Sequence, residues 1–130
     1  MSLLEQAYAA AANARKQAYA PYSKFLVGAA LKAQNIDRLF TGCNVENESY
    51  SATVCAERNA VFGMVAILGR KPLEFMVLVA DGKNLISPCG MCLQVLNEFA
   101  SSDFSIHLAN LQGIQKKLTL GELLPYPFKF

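Results

Sequence analysis

Charge is what this 130-residue chain has least of. Asp, Glu, Lys and Arg make up 17% of it, against about 25% in an ordinary soluble domain. The 12 basic and 10 acidic residues leave a net charge of +2, and the basic ones are scattered. That excludes the electrostatic footprint of a nucleic-acid binder. The densest basic stretch, Gln115-Lys116-Lys117, reads as a solvated loop. Long apolar runs are missing too. Stretches such as Met64–Leu68 and Phe75–Ala80 fall far short of the ~20 residues a membrane helix needs. No repeat, low-complexity segment or linker is found. The start, Met1-Ser2-Leu3-Leu4-Glu5, lacks the positive lead and cleavage pattern of an export signal and reads as a capping box, so the expected location is the cytoplasm. The single histidine, His107, falls in a predicted strand and is expected to be structural.

What is present is apolar. Hydrophobic residues are 53% of the chain, which excludes a disordered segment. The length fits one domain over residues 1–130. A 14.2 kDa chain folded alone exposes about 6,800 Å². With so few charges to cover that surface, part of it is expected to be buried by a partner.

Apolar spacing from Leu4 to Ala18 predicts a helix over 3–19, closed before Pro21. Phe25–Ala33 and Arg38–Val45, separated by the polar Gln34–Asp37, read as a strand hairpin. Val54–Leu68 reads as a helix and Glu74–Ala80 as a central strand. Ser87-Pro88 reads as an N-cap followed by the first helical residue, with that helix running to about Ala100. Phe104–Ala109 reads as a strand and Lys117–Leu120 as a short final one. A one-turn helix follows at Gly121–Leu124. This alternation gives a three-layer α/β/α domain on a mixed sheet.

The chemistry lies in the cysteines. Cys89 and Cys92 of Pro88-Cys89-Gly90-Met91-Cys92 stand three apart at a helix start, so their side chains share a face. The positive helix end favours thiolates, which suit Zn²⁺. Alone, the pair also fits a redox couple or two core cysteines. Cys55 supplies a third thiol at the start of another predicted helix. Three thiolates leave one tetrahedral position open, the mark of a catalytic rather than a structural zinc site. Glu57, two residues after Cys55, points off the metal-facing side. It still reaches a water at the site, as a general acid and base would.

Cys55-Ala56-Glu57 followed by Pro88-Cys89-Gly90-Met91-Cys92 matches the signature of zinc nucleobase deaminases. More closely, the chain resembles the small homotetrameric cytidine deaminases. Pro21–Phe25 with Val27–Leu31, Gly42–Asn47, Ser87–Val95, and Leu123-Leu124-Pro125 with Phe128 carry the resemblance in order. It implies a mostly five-stranded sheet and hydrolytic deamination of free cytidine and 2′-deoxycytidine to the uridines and ammonia, in pyrimidine salvage. The resemblance implies one Zn²⁺ per subunit on Cys55, Cys89 and Cys92. Glu57 would carry the proton to the ring nitrogen and then to the leaving amine. Arg58 would donate to the ligand sulfurs. Phe25 would stack on the base, Asn44 and Glu46 would hold the ribose hydroxyls, and Tyr50 and the Ala56 backbone would complete the substrate contacts. Tyr22 and Phe128 would reach active sites across subunit contacts of a homotetramer. Cys43 has no ligand role in the family.

Three departures stand out. Leu26 replaces a usual Pro, Glu48 a small residue, and Leu93 an Arg beside the thiolates. The chain also ends two residues after Phe128. A blasticidin-type deaminase shares the cysteine motifs but lacks the Asn44-Val45-Glu46-Asn47 segment. A non-catalytic zinc-binding module would leave Glu57, Asn44 and Glu46 unexplained.

Overall fold

A computed structural model describes residues 1–130. The helices are α1 (Leu3–Arg15), α2 (Ala56–Leu68), α3 (Gly90–Asn97) and α4 (Leu120–Leu123). The strands are β1 (Val27–Ala33), β2 (Leu39–Cys43), β3 (Leu73–Ala80), β4 (Ser105–Asn110) and β5 (Gly113–Thr119). They form one mixed sheet in the order β2-β1-β3-β4-β5. Only the β3–β4 pair is parallel, and α3 lies in its crossover. No helix is long and apolar enough to cross a membrane.

The two sheet faces bury different helices, which gives the expected three layers. Ala7 and Ala11 of α1 pack on Ala30, Val77, Val79 and Ala109. The other face takes α2, α3 and α4, with Leu31, Val61, Met64, Leu78, Leu96 and Leu120 in one cluster. Alternation along β1 sorts its residues between the clusters: Ala29 and Leu31 face α2, Ala30 faces α1. The buried Lys32 is satisfied, with Nζ donating to the Ala33 carbonyl at 2.6 Å and lying 3.5 Å from Glu74 Oε1. His107 meets the Phe75 ring edge-on, and burial, with Lys117 alongside, pulls its pKa below the usual histidine value.

Five boundaries differ from the sequence expectation, each for a reason visible in the hydrogen bonding or the backbone. Helix α1 stops at Arg15 because Tyr19 is drawn into pairing: its N–H donates to Asn44 O and its carbonyl accepts from Glu46 N. Strand β1 starts at Val27, since the Phe25 N–H goes to Ser23 Oγ and its carbonyl accepts from Asn44 Nδ2. Helix α3 is capped by Cys89, not Ser87, and the Leu93 N–H to Cys89 O bond opens it. Its end, near Asn97 rather than Ala100, frees the Phe99 carbonyl to accept from Leu73 N. The last strand runs over Gly113–Thr119, so Gln115, Lys116 and Lys117 lie on a strand and not in a loop. A tight turn makes this possible, Asn110 pairing with Gly113 at φ 134°, a backbone state open to glycine.

Gly42 sets how closely α2 sits on the sheet. A Cβ there would lie 2.4 Å from Ala56 O and 2.5 Å from Ala60 N. Gly42→Ala should therefore cost about 2–3 kcal/mol of stability by overpacking, seen as a lower urea midpoint by circular dichroism. An unchanged midpoint would show that α2 does not rest on this position.

Candidate active site

Cys55 is the N-cap of α2 and Cys89 the N-cap of α3, while Cys92 sits in the first turn of α3. Neither N-cap thiol makes a side-chain capping bond, so both sulfurs are free to serve elsewhere. The two helix ends meet. Cys89 and Cys92 Sγ are 3.6 Å apart and Cys55 and Cys89 Sγ 4.0 Å, and all three lie within 4.8 Å of one another. Tetrahedral zinc with 2.3 Å sulfur bonds needs sulfurs about 3.8 Å apart. The donor set therefore fits one Zn²⁺ with its fourth position open.

The thiols and the Arg58 guanidinium share one set of hydrogen bonds. Hydrogen bonding with Cys92, and the Arg58 guanidinium beside it, pull the Cys55 thiol below its ordinary value. The bond to the Cys55 thiolate, with burial, pushes Cys92 well up. Arg58 Nη2 donates to Cys55 Sγ at 3.5 Å, while its Nε is buried without a partner. The sulfurs are thus what hold the guanidinium in place. Leu93 packs into the apolar core, so the position after Cys92 faces inward here and favours an apolar residue over a cation.

A cavity of about 280 Å³ opens over the thiols, lined by Cys55, Ala56, Glu57 and Cys89 on one side and Phe25, Asn44 and Glu46 on another. Glu57 is 4% exposed. Burial is the main cause that pushes its pKa up to about 7, and the Cys55 charge adds to it. Asn44 is buried, with Oδ1 accepting from Val27 N at 2.9 Å and Nδ2 donating to Phe25 O at 2.8 Å. Glu46 Oε1 accepts from the Tyr22 and Ser23 N–H groups, both at 3.1 Å, and Oε2 accepts from Ser23 Oγ. The Ser23 hydroxyl is the main reason its pKa falls below the usual carboxylate value.

Not every expected residue reaches this cavity. Tyr22 and Tyr50 line an adjoining one of about 240 Å³, which shares Ser23, Glu46 and Thr53 with the first. Phe128 lies on α3, where Gln94 brackets its backbone: Nε2 donates to Phe128 O at 2.9 Å and Oε1 accepts from Phe128 N at 3.2 Å. Glu48 lines neither cavity. Cys43 stays outside the thiol cluster, and burial pushes its thiol up. Sequence reasoning gave no part to Ser23, Thr53 or Ile86, which line the cavity. For Ser23 a local signal existed, since a serine two residues before another residue often closes a turn onto that residue's N–H.

Comparison with known proteins agrees with this geometry. The family model for the cytidine and deoxycytidylate deaminase zinc-binding region matches residues 1–108. A cytidine deaminase of Sporosarcina psychrophila is 44% identical over 125 residues, 96% of this chain and 90% of that protein. One of Halalkalibacterium halodurans is 44% identical over 118 residues, 91% of this chain and 88% of that protein. The crystal structure of cytidine deaminase from Burkholderia pseudomallei superposes with a TM-score of 0.89 at 41% identity, covering 98% of this chain and 100% of that one.

Cys92→Ser should abolish stoichiometric zinc, about one ion per chain in the parent, because it removes a thiolate ligand. Cys43→Ser should retain it. Plasma mass spectrometry of the purified proteins checks both, and zinc lost from the Cys43 variant alone would redraw the site.

Proposed function

The chain belongs to the cytidine and deoxycytidylate deaminase family, and from that premise we propose that it hydrolyses free cytidine and 2′-deoxycytidine to the uridines and ammonia, in pyrimidine salvage in the cytoplasm. The observation that carries this is the buried Glu57 carboxyl, beside three clustered thiols on one wall of a cavity that has Phe25, Asn44 and Glu46 on another.

Cys55, Cys89 and Cys92 would hold the zinc. When bound, zinc lowers the pKa of a water from about 16 toward 7, which supplies a nucleophile at neutral pH. Glu57 takes the proton released by the attacking water and delivers it to the ring nitrogen beside the carbon that bears the amino group. It then moves the remaining proton of the newly added hydroxyl to the departing amine, as that oxygen becomes the product carbonyl. One C–O bond forms, one C–N bond breaks, and ammonia leaves. Burial raises the pKa of this carboxyl above the ordinary value, toward the range where a group both gives and takes a proton with little driving force lost. Arg58 offsets the excess negative charge of three thiolates through its contact with Cys55.

The remaining residues bind and orient. Phe25 stacks on the pyrimidine, and Asn44 and Glu46 hold sugar hydroxyls. The Ala56 backbone, at the N-terminus of α2, reads a polar edge of the base. Tyr50 adds a contact from the adjoining cavity. The lining contains no lysine or arginine and does contain Glu46 and Glu57, which disfavours a phosphate and favours a free nucleoside.

We read all 130 residues as one domain that assembles as a homotetramer. The chain exposes 7347 Å², above the about 6,800 Å² usual for a monomer of its mass. Phe62, Val65 and Ile67 of α2 stand in that surface, as do Tyr22 and Phe128, 46% and 68% exposed. The two aromatics are the crossing residues of this assembly.

Two measurements test the proposal. Glu57→Gln should keep its zinc and lose turnover by about 10³-fold or more, the upper range for a lost general acid and base. The absorbance change with cytidine, deoxycytidine and blasticidin reads it. Wild-type-like turnover in the variant removes Glu57 from the chemistry, and a zinc-loaded parent inert to all three substrates removes the enzymatic reading. Light scattering should give about four times 14.2 kDa, as four chains bury the apolar surplus. A stable, active monomer overturns the assembly.

A further inference from the structure

The segment before β1 is short and unusually tied. Ser23 Oγ donates its single proton to Glu46 Oε2 and accepts from the Phe25 N–H at 3.0 Å. The Tyr22 and Ser23 N–H groups converge on Glu46 Oε1. Between Ser23 and Phe25 the chain turns through Lys24 at φ 60°, a left-handed state that residues with a Cβ avoid. Such a conformation persists where its surroundings over-determine it. Here the carboxylate on one side and the serine hydroxyl on the other do so.

We propose that Ser23 is a positioning residue for nucleoside binding: its hydroxyl couples the Glu46 carboxylate to the Phe25 backbone, fixing the sugar-holding group and the base-stacking ring in one relative geometry. The inference rests on the reading that Glu46 and Phe25 contact the nucleoside. Ser23 itself takes no part in proton transfer. A hydroxyl has one proton to donate, and accepting a second bond leaves it little freedom to rotate. Two carboxylate lone pairs go to backbone N–H groups and one to Ser23, which leaves Glu46 one acceptor position, on Oε2, for a ligand hydroxyl. Ser23 decides where that position points. No other side chain donates to Oε2.

The bonds lie at the cavity mouth, where water competes, so the effect is moderate and falls on binding. Ser23→Ala should raise KM for cytidine by about 10-fold and leave kcat within about twofold, the pattern of lost uniform binding. Ser23→Thr keeps the hydroxyl and should restore most of the loss. In a Glu46→Gln background, adding Ser23→Ala should change KM by less than about twofold, because the two residues act as a unit. A carbon-13 titration of the Glu46 carboxyl supplies a readout independent of turnover: its pKa should rise toward the ordinary value in Ser23→Ala and stay low in Ser23→Thr. An unchanged Glu46 titration with an unchanged KM overturns the inference and leaves the deaminase reading intact. A parent without nucleoside turnover overturns that reading, and the titration still decides whether Ser23 holds Glu46.

Discussion

Cys55 and Cys89 cap different helices, yet their sulfurs lie 4.0 Å apart. Two helix N-termini therefore meet within the reach of one ion, and most of the site is arranged around that meeting. Helix α2 is placed by its close approach to β2 at Gly42. Helix α3 is placed by the crossover between the parallel strands β3 and β4. Each helix end brings partial positive charge, and Arg58 adds a full one at Cys55. Thiols brought this close need that compensation. Glu57, one residue into the same helix turn, inherits both the burial and the nearby sulfur charge that raise its pKa. One packing arrangement thus sets the spacing of the three thiols, their thiolate character and the proton affinity of the Glu57 carboxyl.

The opposite wall is built on another principle. Phe25, Asn44 and Glu46 lie on irregular chain beside the ends of β1 and β2, held by side-chain bonds to backbone rather than by a ladder. Asn44 binds the Phe25 carbonyl and the Val27 N–H, and in doing so replaces the strand that β1 lacks at its start. The cavity accordingly has a wall made of helix ends and a wall made of tied loops.

The sequence made the first wall legible because its signals are local. A Cys-x-x-Cys spacing and a Cys-x-Glu opening survive as patterns whatever surrounds them, and the apolar runs of β3 and β4 are equally self-contained. The second wall was harder, because its geometry depends on residues about 20 positions apart. Nothing near Tyr19 announces that Asn44 and Glu46 will pull it out of α1. Nothing near Ser23 announces its carboxylate partner. The cap of α3 falls at Cys89 and not at Ser87 for a chemical reason: Ser-Pro is a strong starting signal, whereas cysteine is a poor capping residue, and the sulfur of Cys89 is directed to the thiol cluster instead. Most of strand β5 is hard to read from the sequence because Gln115, Lys116 and Lys117 carry no apolar alternation.

Those lysines acquire a different meaning on β5. The strand forms one margin of the sheet, and an open margin offers unpaired backbone to any extended chain that drifts against it. A sequence with only 12 basic residues sets two of them side by side there, exposed to water. Two copies that approach margin to margin meet matching positive charge before their backbones can pair. Edge-to-edge pairing of the sheet is thereby discouraged, while the exposed face of α2, with Phe62, Val65 and Ile67, carries no such charge.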